Sequence, residues 1–262
     1  MEGRLKQTIR HPKMEVLVDF NGLGLGRVSE WENITDYVLE ISGSKEKAGE
    51  AVGGVTSDIV TIVTDNTQKL FSKDNIKSPF YKKVKSNVNF VLKSGFKDEE
   101  LKIYAAGIIT KFAPAWNDRK YNVSAEDYFY LLKNTDAPKT AYQDISLDEL
   151  VGILLDEAGI PSQINRIIPK TEFNFQYFKF EEPDCFSALK KLMEISVGQA
   201  YFEGLNFVFE TKLALDYELD LTIKHEIEED DIFTFDETVE DTDIINTVSI
   251  ISNPKMIDVK QI

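Results

Sequence analysis

Ten carboxylates fall within the eighteen residues from Glu226 to Asp243, with no lysine or arginine among them. Such a run invites calcium ligation, hydrolysis of a glycosidic bond, or an interaction surface. Calcium needs carboxylates at alternate positions of a glycine-containing loop, and no D-x-D-x-D-G loop is present. Hydrolysis needs two carboxyl groups at a set separation, which the spacing of Glu228, Asp230 and Asp231 does not fix. The interleaved Ile227, Ile232, Phe233, Phe235 and Val239 favour ordinary strands with charged outer faces. An interaction or lumen-facing surface ranks next, built from Glu226, Glu228, Glu229, Asp230, Asp231, Asp236 and Glu237. Metal binding and catalysis rank last.

Other reactive side chains are sparse. Cys185 is the single cysteine, so neither an internal disulfide nor a cysteine zinc site is possible. It sits at a predicted helix start, where the dipole can lower a thiol pKa, but no histidine is near in sequence, and a core cysteine is the simpler reading. His11 and His225 lie far apart and make poor material for a histidine metal site. His225, beside the acidic run, reads as solvent-exposed. Gly22-Leu-Gly-Leu-Gly26 fails the G-x-G-x-x-G pattern and lacks a P-loop lysine, so it reads as a flexible loop or a close backbone approach. Gly53-Gly54 reads as a turn or barrel corner, and Trp31 and Trp116 as packing residues. No G-x-S-x-G elbow exists. No catalytic, cofactor-binding or metal-ligating residue is assigned, and no cofactor is expected.

The composition narrows the partners. The 262 residues carry 45 acidic and 30 basic side chains, a net charge of −15. That argues against a groove reader of nucleic acid, which needs clustered cations, and against docking on an anionic membrane. No apolar run approaches the ~20 residues that span a bilayer, and the N-terminus lacks the apolar core of a signal peptide. The chain reads as soluble and made in a reducing cytoplasm.

The elements that would position these residues change period along the chain. Met14, Val16, Val18 and Phe20 alternate before the Asn21-Gly22 turn. Strands follow around 37–42, over the β-branched Asp58–Thr64, over 88–92 closed by Ser94-Gly95, over 101–112, and at Tyr121–Val123. Ser124-Ala-Glu-Asp127 predicts a helix start with Tyr128, Leu131 and Leu132 as its buried stripe. Residues 134–145, polar and with Pro138, read as a linker. Ser146-Leu-Asp-Glu149 is a capping box, and Gly159 and Pro161 stop its helix. A second helix near Asp184 places Phe186, Leu189, Met193 and Val197 on one face. The aromatics from Phe173 to Phe180 slip phase by one residue, predicting a bulge or a strand buried on both faces. A hairpin over 199–211 turns at Glu203-Gly204, and short strands follow at 217–223, 232–235 and 246–251. The chain then stops on an ordinary apolar–polar alternation, which suggests a fragment or a last strand that continues into a partner.

The order of segments resembles that of tail-tip and tail-hub proteins of tailed bacteriophages and prophages. Trp31-Glu-Asn-Ile-Thr-Asp-Tyr-Val38 is similar to that family's W-x-D-V-T-D-Y-V segment. Thr64-Asp-Asn66 with Phe71-Ser72 matches T-I-x-L-D-N-x-D-x-x-F-S-P, although Lys73 stands where the family has proline. Ser78-Pro-Phe-Tyr81, the Gly107-Ile-Ile strand, and Asp127-Tyr-Phe-Tyr-Leu-Leu132 follow in the family's order, the last with Tyr and Phe intruding on D-x-L-x-x-L. The Ile145–Gly159 helix, the helix–hairpin from Cys185 to Gly204, and Asp243–Ile250 complete the likeness, which runs from about residue 14 to 251.

The resemblance implies a mainly β, α+β fold of two tail-tube-like antiparallel barrels with short flanking helices. One domain would cover 1–133 and the other 146–262. It implies a structural, non-enzymatic hub: a homotrimeric ring joining the tail tube and distal tail proteins to a tip or spike. Such a protein belongs to the virion and is assembled in the host bacterial cytoplasm. An acidic lumen would repel DNA phosphates by like charge. Two other readings stand beside it. One is a carbohydrate-binding β module with exposed Tyr128, Tyr130, Trp116 and Tyr121. The other is the non-catalytic part of a cell-wall hydrolase, or a hydrolase using Glu228, Asp230 and Asp231.

Overall fold

The computed structural model describes residues 12–45, 54–72, 74–96, 99–114, 119–211 and 213–214. The chain divides into two units, Met1–Glu218 and Leu219–Ile262, and every described residue belongs to the first.

Period-two alternation builds the principal sheet. Its strands are β1 (Pro12–Val18), β2 (Glu32–Asn33), β3 (Val38–Lys45), β5 (Asp58–Asp65), β6 (Val88–Phe96), β7 (Lys102–Pro114) and β8 (Lys120–Glu126). They pair in the order β2-β1-β6-β7-β8-β5-β3, antiparallel throughout. Side chains on alternate positions point to opposite faces, so one face of this curled sheet carries Val16, Val18, Val60, Ile62, Phe90, Ile109, Val123 and Ala125 into an inner core. Leu17, Val91, Ala106 and Ile108 point the other way, into a second core. Both faces of β6 and β7 are covered, which is why Val88–Leu92 and Ala105–Ile109 are nearly continuously apolar.

The second core is completed by helices α1 (Phe129–Lys133), α2 (Leu147–Glu157) and α3 (Cys185–Ser196). Helix α2 buries Leu147, Leu150, Val151, Leu154 and Leu155 fully, each worth about 1.5–3 kcal/mol. Its capping box forms as the sequence indicates: the Ser146 hydroxyl accepts from the Glu149 amide, and the Glu149 carboxylate accepts from the Ser146 amide. Strands β12 (Gly198–Glu203) and β13 (Asn206–Thr211) form the expected hairpin, with Gly204 at φ +58 in its turn. They join β10 (Asn165–Ile167) and β4 (Gly54–Thr56) in a four-stranded sheet. The fold is thus mainly β with helices packed on one sheet face.

Several elements differ from the sequence reading. Ser124–Glu126 belong to β8, not to a helix start, because the segment is paired on both sides, to β5 and β7. The helix begins at Phe129, and Asp127 supplies the acceptor for the Phe129 amide at 3.0 Å. Strand β6 runs through Ser94-Gly95 to Phe96. Gly54 is not in a turn: it opens β4, which lies parallel to β12. The segment 134–145 holds the start of β9 (Ala141–Ser146), which pairs with β11 (Asn174–Lys179). The β9–β11 ribbon has no bulge, and the aromatics of β11 are half-buried or exposed. On α3 the buried face is Cys185, Ala188, Leu189, Leu192, Met193 and Ser196. Val197 is exposed and left-handed at φ 49, closing the helix. The expected strands at 217–223, 232–235 and 246–251 lie outside the described residues.

Candidate interaction surfaces

The two ends of the curled sheet are built differently. At one end, the connection from β5 to β6, residues 66–87, folds over the inner core. Asn66 is buried and organises it: its side-chain oxygen accepts from the Phe71 amide at 2.9 Å, and its side-chain nitrogen donates to the Ser72 hydroxyl at 3.1 Å. Asn75 donates to the carbonyls of Gln68 and Lys69. The Ser78 hydroxyl donates to the Leu70 carbonyl and accepts from the Phe80 amide. These bonds satisfy backbone groups that a plain loop would leave to water. They aim Phe71 and Phe80 inward, where the rings stack at 5.2 Å between centroids and Tyr37 meets both edge-on. The Thr64-Asp-Asn66, Phe71-Ser72 and Ser78-Pro-Phe-Tyr81 segments are therefore one structural device, a plug.

Among the described residues the opposite end is open. There, β1 and β3 are the two flanks of the sheet, and β2 does not reach between them. A cavity of about 360 Å³ occupies the gap, lined by Met14, Ile41, Ile59, Leu92 and Tyr104, with Ser42, Ser44 and Ser94 adding hydroxyls. Met14 and Tyr104 remain 44% and 55% exposed. Large apolar groups that stay in water around a concavity mark a place where something else can bury them.

A polar node ties the sheet to the helices. Asp127 is buried, and its carboxylate accepts from the Asp58 amide at 2.7 Å, the Phe129 amide at 3.0 Å and the Ser57 hydroxyl at 3.2 Å. Lys133 donates to Ser57 and pairs with Glu126 at 3.1 Å. Burial pushes the Asp127 carboxyl up to about 7, against the lowering effect of the two backbone donors. A Cβ at Gly107 would lie 2.0 Å from the Glu126 carbonyl oxygen, so the backbones of β7 and β8 meet beside this node because residue 107 has no side chain. Asp127 does not stand out in the sequence, where it reads as part of a helix start.

The residues singled out from sequence fare as follows. Cys185 is buried in the second core, and burial, helped by Glu157, Asp184 and Asp136, pushes its thiol up to about 11. That is the opposite of an activated nucleophile. Trp31 packs, donating its indole N–H to the Gly24 carbonyl at 3.2 Å. The Gly22–Gly26 loop is held by the Asp19 carboxylate, which accepts from the Leu23 and Gly24 amides, with Gly22 and Gly24 at φ +71 and +76. An aromatic platform of Tyr128, Tyr121 and Tyr130 does not form: Tyr128 and Tyr121 are buried, the first in the helix-side core and the second in the inner core. Trp116, His11, His225 and the acidic residues Glu226, Glu228, Glu229, Asp230, Asp231, Asp236 and Glu237 lie outside the described residues. Among the described residues no group of three or more His, Cys, Asp or Glu side chains is placed to hold a metal ion. No helix among them is long and apolar enough to cross a membrane.

No family model and no curated protein matches the chain. Solved structures do. The 43 kDa tail protein of prophage MuSo2 from Shewanella oneidensis is 13% identical with a TM-score of 0.46, over 76% of this chain and 56% of that one. The tail protein from Neisseria meningitidis MC58 is 13% identical with a TM-score of 0.47, over 76% and 50%. The E. coli c3393 protein, a type VI secretion component described as structurally similar to T4 tail proteins gp27 and gp5, is 14% identical with a TM-score of 0.38, over 79% and 47%. The chain spans about half the length of each of these three structures.

Proposed function

We propose that this chain is a structural hub of a phage-type tail tip, a non-enzymatic protein that joins the tail tube to a distal tip or spike. The observation that carries this reading is where the ordered motifs fall in the fold. Trp31 and Gly24 pin the start of the sheet, and Asn66, Phe71, Ser78 and Phe80 form the plug. Gly107 permits the β7–β8 approach, the Ser146–Glu149 box starts α2, and Gly204 turns the last described hairpin. Each of these described motifs has a structural task.

In this reading three copies form a ring around the DNA channel, with tail-tube-like barrels in residues 1–133 and 146–262. The acidic residues from Glu226 to Glu237 face the lumen, where like charge keeps DNA from adhering. The partners are other copies of the chain, the tail tube, distal tail proteins and the tip. The protein resides in the virion. A direct test is immunogold labelling of tailed particles that contain the chain. Label confined to the distal end of the tail supports the reading; label along the whole tail, or absent from particles, refutes it.

A further inference from the structure

The plug end of the curled sheet has an outer surface as distinctive as its inner one. Residues 66–87 contain six lysines and one aspartate, a net +5, so the rest of a chain whose total is −15 carries −20. Lys69, Lys77, Lys82 and Lys85 are exposed. Among the described residues, none of these four enters a salt bridge, whereas Lys83 pairs with Glu32. Amid these lysines stands Ile76, 75% exposed, the most exposed large apolar side chain described. The loop that carries it is held by side-chain bonds from Asn66, Asn75 and Ser78, so little ordering entropy remains to be lost on binding.

The open mouth lies at the other end of the same strands. Strand β5 runs from Asp58 and Ile59, at the mouth, to Asp65, where the plug begins. Eight residues at ~3.3 Å each put roughly 25 Å between the two ends. One chain thus presents an apolar knob on a lysine-rich loop at one end and a partly exposed apolar cavity at the other. The described residues that line the cavity include one acid, Asp58, and no lysine or arginine, so a cationic knob finds a carboxylate at the cavity as well as the acidic excess of a whole neighbour.

We infer that the Ile76 knob seats in the Met14–Ile59–Tyr104 cavity of a second copy, a head-to-tail contact steered by the lysines of the plug toward the acidic remainder of its neighbour. Knob and cavity are different surfaces of the same chain, so the contact is heterologous; it closes into a ring when the rotation between copies divides a full turn and grows as a filament otherwise. This deepens the ring proposed above and rests on it for the number of copies.

The test uses the full chain with a short bis-maleimide. The Ile76→Cys, Tyr104→Cys double variant should give a covalent ladder that stops at three copies, while each single variant stays monomeric on a denaturing gel. A cross-link within one chain is excluded by the separation of the ends. Buried Cys185 serves as the unreactive background, checked with the wild-type chain. Lys77→Glu, Lys82→Glu added to the double variant should cut the ladder roughly fivefold at low salt, as long-range steering requires. Cross-linking of the Ile76→Cys single variant to itself would mean a two-fold contact and overturn the inference. So would oligomers in light scattering without any ladder, an outcome that leaves the ring itself standing. A ladder that runs past three keeps the contact and refutes the closed trimer. Retention of DNA by the wild-type chain that is lost in Lys77→Glu, Lys82→Glu, with no ladder, would assign the loop to nucleic acid and overturn the inference.

Discussion

Replacing Asp127 with asparagine tests whether the polar node is held at an electrostatic cost. The carboxyl is pushed from 3.8 to about 7, chiefly by burial. Well below its unfolded pKa it is protonated in both folded and unfolded chains and contributes no pH dependence. As pH rises from about 4 to 7, the unfolded chain releases this proton while the folded chain retains it, so folding loses stability through that window. About three pH units at 1.36 kcal/mol each give roughly 4 kcal/mol. The asparagine side chain is isosteric, uncharged and free of this penalty. At about 2–4 °C per kcal/mol for a chain of this size, the melting temperature of Asp127→Asn minus that of wild type should climb by roughly 10 °C between pH 4 and pH 8. Many other carboxylates titrate in the same window, but they are common to both proteins and drop out of the difference. The assay is thermal unfolding followed by circular dichroism at each pH. Two parallel curves would refute the reasoning, because they would mean that the donors at Ser57, Asp58 and Phe129 hold the charged form at no net cost.

Other perturbations follow from single contacts. Gly107→Ala forces a methyl against the Glu126 carbonyl and the Asp127 Cα at 2.0 and 2.7 Å, so the β7–β8 pairing must shift. Denaturant titration should show a loss of about 3 kcal/mol or more, at the upper end of overpacking. Ser146→Ala removes the cap of α2 and should cost about 1 kcal/mol in the same assay. Cys185, buried with its thiol raised to about 11, should react with a thiol reagent at pH 8 only after denaturant is added. Prompt reaction of the folded chain would contradict its placement.

The sequence announces what local patterns encode. The alternation of Met14–Val18, the β-branched run at Asp58–Thr64, the Ser146–Glu149 box and the Glu203-Gly204 turn each depend on neighbours within a few residues, and the structure has all four. The differences arise where distant partners decide. Ser124–Glu126 have good helix-start chemistry, yet pairing to β5 and β7 makes them strand. Gly54 carries a turn signal, but a far-off partner in sequence, β12, draws it into a sheet. Asp127 and the cavity at the sheet mouth are invisible in the sequence for the same reason: each is defined by residues far apart along the chain. The aromatic stripe Phe173–Phe180 misleads because half-buried ribbon positions accept aromatics without a regular period.

If the chain works as a closed assembly of copies, its size in solution must show it. The decisive quantity is the molar mass of the purified full-length chain by light scattering across a hundredfold range of concentration, paired with electron micrographs of the same sample. A trimeric hub gives a species of three times the chain mass that images as a ring with threefold symmetry. A single chain mass at every concentration, with no rings in the micrographs, would contradict it.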